Sequence, residues 1–135
     1  EPSAAQYNGF NLVVGSVEEL WYYSNYRDGM TRLEKGFYGL SNHLLDTPWP
    51  KVIRGKEKML PVLTQPTILA DQLFEILLDE QRAADDLLPQ TGLPLDRERA
   101  LSSMFIKTAN YGSRCSTAIL VDQQNRVEFY ERAYN

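Results

Sequence analysis

The final third of the chain constrains its fold most. Residues 116–121 and 126–132 are two β-favouring runs separated by Asp122-Gln123-Gln124-Asn125, four polar residues suited to a turn. The spacing predicts a β-hairpin. Side chains alternate across a strand, so Thr117, Ile119 and Val121 share one face and Ala118 and Leu120 the other. Apolar residues on both faces are the pattern of a sheet covered on both sides. One layer of helices cannot cover two faces, so the pattern asks for a second sheet, from a further part of the polypeptide or from another copy.

Upstream, Phe10, Leu12 and Val14 alternate with Asn11, Val13 and Gly15. Residues 20–24 hold the aromatic run Trp21, Tyr22 and Tyr23, and Arg27-Asp28-Gly29 supplies a turn before a further strand pair expected over 31–40. The zone 9–42 therefore reads as an antiparallel meander. Residues 47–105 read as helical and interrupted by prolines. Thr47 followed by Pro48 has the form of an N-cap with proline in the first turn, and Pro61 is expected to end the helix over 49–60. Leu69, Leu73, Ile76 and Leu77 fall at i, i+4, i+7 and i+8, widened by Phe74 and Leu78, which predicts a helix with one broad buried face. A loop over 89–94 follows, and Asp96 is expected to cap a short helix through Leu101. Strands, then helices, then strands give an α+β class, an antiparallel sheet with a helical layer, within a single domain over 1–135.

Composition narrows the function classes. The 135 residues are 43% apolar, 11% aromatic and 24% charged, with a formal charge of −4, enough for a real core and too aromatic for a disordered chain. No apolar run approaches the roughly 18 residues of a membrane span, and no basic segment followed by an apolar stretch marks a signal peptide. The acidic balance, without a basic stripe, argues against nucleic acid, whose affinity comes from neutralised phosphates. The one cysteine, Cys115, excludes an intramolecular disulfide and a thiolate-rich metal site. It fits a reducing compartment, and a cytoplasmic location is expected. The chain opens at Glu1-Pro2-Ser3 without an initiator Met, so a piece of a longer product is expected.

General catalytic motifs are absent: no Gly-rich phosphate loop, no HExxH and no GxSxG elbow, and the lone histidine, His43, reads as a surface or hydrogen-bonded structural residue. Asp79, Glu80, Asp85 and Asp86 read as the solvated end of the buried helix. Lys51, Arg54, Lys56 and Lys58 form a basic patch in which Lys51, Arg54 and Lys58 share a helical face, either a solvated surface or a seat for an anionic group. Two polar segments stand out at strand ends. In residues 38–51 a strand closes on Ser41-Asn42 and the chain then turns through Pro48-Trp49-Pro50. In residues 111–117, Arg114 sits among small polar neighbours and leads into an apolar strand. An asparagine at a strand end presents a neutral NH2 donor suited to an oxyanion, although composition alone favours ordinary strand-end hydrogen bonding.

These segments carry a resemblance. Gly39-Leu40-Ser41-Asn42 through Leu45-Asp46-Thr47-Pro48-Trp49-Pro50-Lys51-Val52, with the earlier Gly9-Phe10-Asn11-Leu12 and Tyr22-Tyr23-Ser24-Asn25 and the later Tyr111-Gly112-Ser113-Arg114-Cys115-Ser116-Thr117 and Leu120-Val121-Asp122, resembles the NRDE family. That family is named for an Asn-Arg-Asp-Glu motif and is also called the transport-and-Golgi-organisation protein 2 family. The resemblance spans nearly the whole chain and is to the C-terminal half of such a protein. It implies half of an αββα sandwich like that of N-terminal nucleophile hydrolases. The nucleophile would be a Cys at the second residue, using its own α-amine as base, and neither that Cys nor the naming motif is present here. Glu1 offers no hydroxyl or thiol to take its place, and Cys115, internal and without a free amine, reads as a small packed residue.

Carried over, Asn42 resembles the strand-end Asn that lines an oxyanion site, Arg114 sits where a late Arg orients or stabilises a nucleophile, and Asn25, Ser41 and Lys51 are expected to contact a ligand. Two functions are open. The complete protein hydrolyses an amide or related C–N bond, the fragment alone being inactive. Alternatively it is a non-catalytic carrier of a hydrophobic anion such as haem or acyl-CoA, with residues 21–23 and the Lys51 to Lys58 patch supplying contacts. Either way the partner is a small molecule, no cofactor is expected, and the uncovered sheet face is a surface through which copies could associate.

Overall fold

The computed structural model describes residues 6–134; Glu1, the start of the chain and the last residue lie outside them. The chain divides into two compact units, Glu1–Thr47 and Pro48–Asn135. The α+β class holds, with three α-helices among the described residues and, in place of one sheet, two small antiparallel ones.

The first unit is the expected meander. Strands β1 (Asn11–Gly15), β2 (Leu20–Ser24) and β3 (Met30–Leu33) pair in that order, with Val13 opposite Tyr22 and Tyr22 opposite Thr31. The turn into β3 holds Gly29 at φ +81, the left-handed region that glycine enters without a Cβ clash. The strand pair expected over 31–40 is reduced to β3 alone. Beyond Leu33 the backbone bonds go to a closed loop: Gly39 N–H donates to Asp46 Oδ1 at 2.8 Å and Asp46 N–H returns to the Gly39 carbonyl at 2.8 Å. Tyr38 OH bonds back to the Glu34 carbonyl at 3.0 Å.

The second unit holds helices α1 (Pro50–Leu63), α2 (Ala70–Leu77) and α3 (Leu95–Leu101) and strands β4 (Cys115–Val121) and β5 (Val127–Ala133). Helix α1 starts two residues later than Thr47-Pro48 implies. A residue before proline is pushed out of the helical region, so Trp49 stays extended at ψ 149 and Pro50 becomes the first helical residue. Pro61 lies inside the helix rather than ending it. It forgoes one ladder bond close to the C-terminus, and the last turn continues to Leu63 before Thr64 Oγ1 bonds the Pro61 carbonyl at 2.9 Å. Leu69 is extended at ψ 138 and 59% exposed, so it falls off the buried stripe of α2. The side chain of Gln72 accepts the Leu69 N–H at 3.0 Å. Asp96 lies in the first turn of α3 rather than capping it; Pro94 holds the cap position, and Asp96 pairs with Arg99 at 3.1 Å.

The core joins Val62 of α1, Leu73, Phe74 and Ile76 of α2 and Ala118 of β4, with Met59, Ile68, Met104 and Leu120 packed against it. Burying these side chains supplies roughly 1.5–3 kcal/mol each for the large ones. The hairpin forms as the sequence predicts, Val121 opposite Val127 through Cys115 opposite Ala133. Its turn is held by Asp122, whose Oδ1 accepts the amides of Gln124 and Arg126 at 2.8 and 2.9 Å. Arg132 of β5 reaches α2, its guanidinium 4.5 Å from the Phe74 ring centre and 2.8 Å from Asp71.

The helices cover the Ala118 and Leu120 face alone. On the other face Ile119 is 58%, Val121 49%, Val127 55% and Phe129 64% exposed. Cys115 shares the odd-numbered register of that face and is exposed, not the packed residue expected, because strand alternation turns it away from α2.

Candidate functional site

Segment 41–45 of the first unit has no regular structure and is held to the sheet by side chains. Tyr22 is fully buried. Its hydroxyl donates to Asn11 Oδ1 at 2.7 Å and accepts the Leu45 N–H at 3.1 Å. Asn11 Nδ2 then donates to the His43 carbonyl at 3.0 Å and to the Ser41 carbonyl at 3.4 Å. Two side chains from adjacent strands thus fix the backbone on either side of Asn42. Buried polar groups of this kind are costly to leave unsatisfied, which makes the arrangement specific.

Ser41 and Asn42 are brought together. Ser41 Oγ donates to Asn42 Oδ1 at 3.2 Å, which directs the NH2 end of the amide away from Ser41. Asn42 is exposed and Ser41 partly buried. Asn25 is occupied as a staple: its Oδ1 accepts the Phe10 N–H at 2.7 Å and its Nδ2 donates to the Asn8 carbonyl at 3.1 Å, fixing the approach to β1. His43 Nδ1 lies 3.0 Å from Thr47 Oγ1, and its ring stacks on Tyr26 at 5.8 Å, in keeping with a hydrogen-bonded structural residue.

In the second unit Lys51 donates Nζ to the Leu101 carbonyl at 2.9 Å. A cation on the last carbonyl of α3 offsets the negative end of that helix. Burial pulls the Lys51 pKa below the ordinary lysine range. The Trp49 ring centre lies 5.8 Å from the ammonium. Arg114 is exposed, and its backbone carbonyl accepts the Tyr134 N–H at 2.8 Å. The bend ahead of it is closed by Ser113, whose Oγ accepts the Ile106 N–H at 3.0 Å.

Arg54 and Lys58 have an internal role. Asp79, expected at a solvated helix end, is 9% exposed. Its Oδ2 takes Arg54 Nε at 2.9 Å and Lys58 Nζ at 2.6 Å, and its Oδ1 accepts the Gln81 N–H at 2.7 Å. Burial works against the Asp79 charge, but the hydrogen bonds from Lys58 and the Gln81 amide, with the Arg54 and Lys58 charges, outweigh it and hold the carboxyl below the usual aspartate range. Glu80, Asp85 and Asp86 are exposed as expected. Among the described residues no cluster of three or more His, Cys, Asp or Glu side chains could hold a metal ion, and no helix is long and apolar enough to cross a membrane.

Sequence reasoning missed Asn11 and Tyr22 as the residues that hold segment 41–45. The available signal was a polar Asn at the start of an apolar strand. It also missed Asp79, whose partners lie 25 and 21 residues upstream in sequence.

Comparison with known proteins supplies the context for these residues. A family model described as Transport and Golgi organisation 2 matches residues 1–135. The Transport and Golgi organization protein 2 homolog of Homo sapiens is 34% identical over 141 residues, covering 94% of this chain and 51% of that protein. The corresponding homolog of Mus musculus is 32% identical over 143 residues with the same coverage. The protein of Drosophila melanogaster is 29% identical over 140 residues, covering 93% of this chain and 49% of its own length. The chain spans about half the length of these curated relatives.

Proposed function

This chain belongs to the Transport and Golgi organisation 2 family, and from that premise we propose that it is the C-terminal half of an N-terminal-nucleophile-type sandwich whose complete form hydrolyses an amide or related C–N bond in a small ligand. The observation that carries the proposal is the fixed segment 41–45: a buried Tyr22 and Asn11 anchor it while Asn42 stays at the surface. A neutral donor on a backbone that cannot drift is what stabilisation of developing negative charge requires.

In this reading the α-amine of a Cys in the other half takes the thiol proton, and the thiolate attacks the carbonyl carbon. The oxygen gains the charge and Asn42 Nδ2 donates to it. The α-ammonium returns the proton to the departing amine, and water then hydrolyses the thioester. Arg114, exposed just before β4 in the second unit, is the residue that the resemblance carries over as a cation for the nucleophile or the ligand. Asn25, Ser41 and Lys51 stand in this proposal as ligand contacts, and their side chains also make intramolecular hydrogen bonds, to Phe10 and Asn8, to Asn42 and to the Leu101 carbonyl.

The carrier reading has less support. Tyr22, one of its aromatic contacts, is buried, and Arg54 and Lys58 of its basic patch are bound to Asp79. The discriminating experiment measures hydrolysis by the complete protein and by Asn42→Ala and Arg114→Ala variants. Asn42→Ala is expected to lower kcat by about 10²–10³-fold with little change in KM or melting temperature. The 135-residue chain alone is expected to be inactive. Amide hydrolysis by the isolated chain that survives both substitutions would sink the proposal. Saturable binding of haem or acyl-CoA that persists after the Cys is replaced, with no product formed, would favour the carrier.

A further inference from the structure

Arg27 lies in the turn between β2 and β3, where the chain needs polar residues and Gly29 but no particular cation. An arginine in such a turn ordinarily extends into water. This one folds back over its own strand. Its guanidinium lies 5.3 Å from the centre of the Tyr22 ring, and Nη2 donates to Thr31 Oγ1. Tyr22 and Thr31 are cross-strand partners, so their side chains share one face of the sheet and hold Arg27 on that face. The ring and the hydroxyl together fix a side chain that has many rotamers in water.

The charge of Arg27 is not spent on an internal ion pair. Among the described residues no carboxylate pairs with it, whereas Arg32, the other arginine of the first unit, has Glu19 at 3.6 Å. Arg27 is exposed, and with one N–H on Thr31 its planar fork keeps a second N–H pair for a bidentate acceptor.

The same Tyr22 holds the candidate site. Its hydroxyl accepts the Leu45 N–H and donates to Asn11, which fixes the backbone on either side of Asn42. One buried side chain therefore carries a cation over its ring and, at its hydroxyl, the segment that presents a neutral donor. We propose that Arg27 determines specificity at this site by pairing with a carboxylate on the substrate, so that the class hydrolysed is an amide carrying a fixed negative charge. A guanidinium meets a carboxylate through two parallel N–H bonds, and one already stacked on an aromatic face gives up little freedom in doing so. The inference rests on the reading of segment 41–45 as the site of hydrolysis and adds the part of the substrate that lies away from the scissile bond.

The test uses the complete protein with its nucleophilic Cys replaced by Ala, so that nothing turns over. It is titrated by calorimetry with glutaric acid monoanilide and with the methyl ester of the same compound, two probes that differ by one charge. The acid is expected to bind about 10–100-fold tighter than the ester, the range of a hydrogen-bonded charge pair. Arg27→Gln is expected to bring that ratio close to one. Arg27→Lys, which keeps the charge and loses the fork, is expected to retain part of it. A ratio near one in the parent protein, a ratio that survives Arg27→Gln, or no measurable binding of the acid overturns the inference. Equal loss of acid and ester binding in Arg27→Gln also overturns it, because the residue then acts only as a prop for Tyr22. Binding and turnover are read separately. An Arg27-dependent charge preference in a protein that hydrolyses nothing sinks the hydrolase reading alone, and hydrolysis that needs Asn42 but shows no preference through Arg27 sinks this inference alone.

Discussion

The Tyr22 hydroxyl donates to Asn11 Oδ1 at 2.7 Å while accepting the Leu45 N–H at 3.1 Å, so one oxygen at the centre of a strand determines where a segment more than twenty residues later runs. Tyr22→Phe removes that oxygen and takes this partner from the half-buried Asn11 side-chain carbonyl and Leu45 amide. The expected cost is about 1–3 kcal/mol, measured by denaturant unfolding. Hydrogen exchange at the Leu45 amide is expected to quicken, and an unchanged exchange rate would show that the segment is held by other contacts.

Asp79 makes the second unit sensitive to acid. Its folded pKa lies below the ordinary value, so its stabilising contribution is fully present above the unfolded aspartate pKa of about 3.9 and is lost as pH falls through the folded one. Melting temperature is expected to hold from neutrality to about pH 5 and decline below. Asp79→Asn lowers the neutral plateau and flattens part of the decline. Asp79→Ala, which leaves Arg54 only the Gln81 carbonyl, costs about 2–4 kcal/mol, less than a fully buried pair because Lys58 reaches solvent. A parallel acid limb in the Asn variant would assign the pH dependence elsewhere.

Phe74 is 4% exposed and is the largest side chain of the core cluster. Phe74→Ala is expected to cost about 3–5 kcal/mol. It also removes the ring under Arg132, so a double-mutant cycle with Arg132→Ala should return a coupling of about 0.5–1 kcal/mol. Additive effects would mean that the guanidinium is held by Asp71 alone.

Pro61 occupies a position where alanine would add a ladder hydrogen bond to the Glu57 carbonyl. Pro61→Ala is expected to stabilise by about 0.5–1.5 kcal/mol, below the roughly 3 kcal/mol of a mid-helix site because only the final turn is involved and because proline also restricts the unfolded chain. Destabilisation would show that the pyrrolidine ring is packed in the native state.

Local signals were legible in the sequence and long-range polar pairing was not. The hairpin could be read because alternation and a polar turn are set within twenty residues, and α2 because its stripe repeats at helical spacing. The N-terminal strands followed from the same alternation. Pro61 misled, since a breaker near a helix end removes a single bond. Asp79 misled further: a carboxylate after a helix looks solvated until α1 brings Arg54 and Lys58 to it. Ser41 and Asn42 could be singled out as polar residues at a strand end. Asn11 and Tyr22 could not be, because their role exists only once β1 and β2 are side by side.

Cys115 stands opposite Ala133 at the end of β4, on the side of the hairpin that faces away from α2, and it is the only cysteine in the chain. The protein therefore carries a native chemical reporter in register with Ile119. A thiol reagent will titrate it at the pace of an open surface when that side is bare and more slowly when something lies over it, with no substitution needed. The same exposure makes it the position at which air oxidation would link two isolated chains covalently, so a reducing buffer decides whether preparations of the 135-residue chain behave as one species.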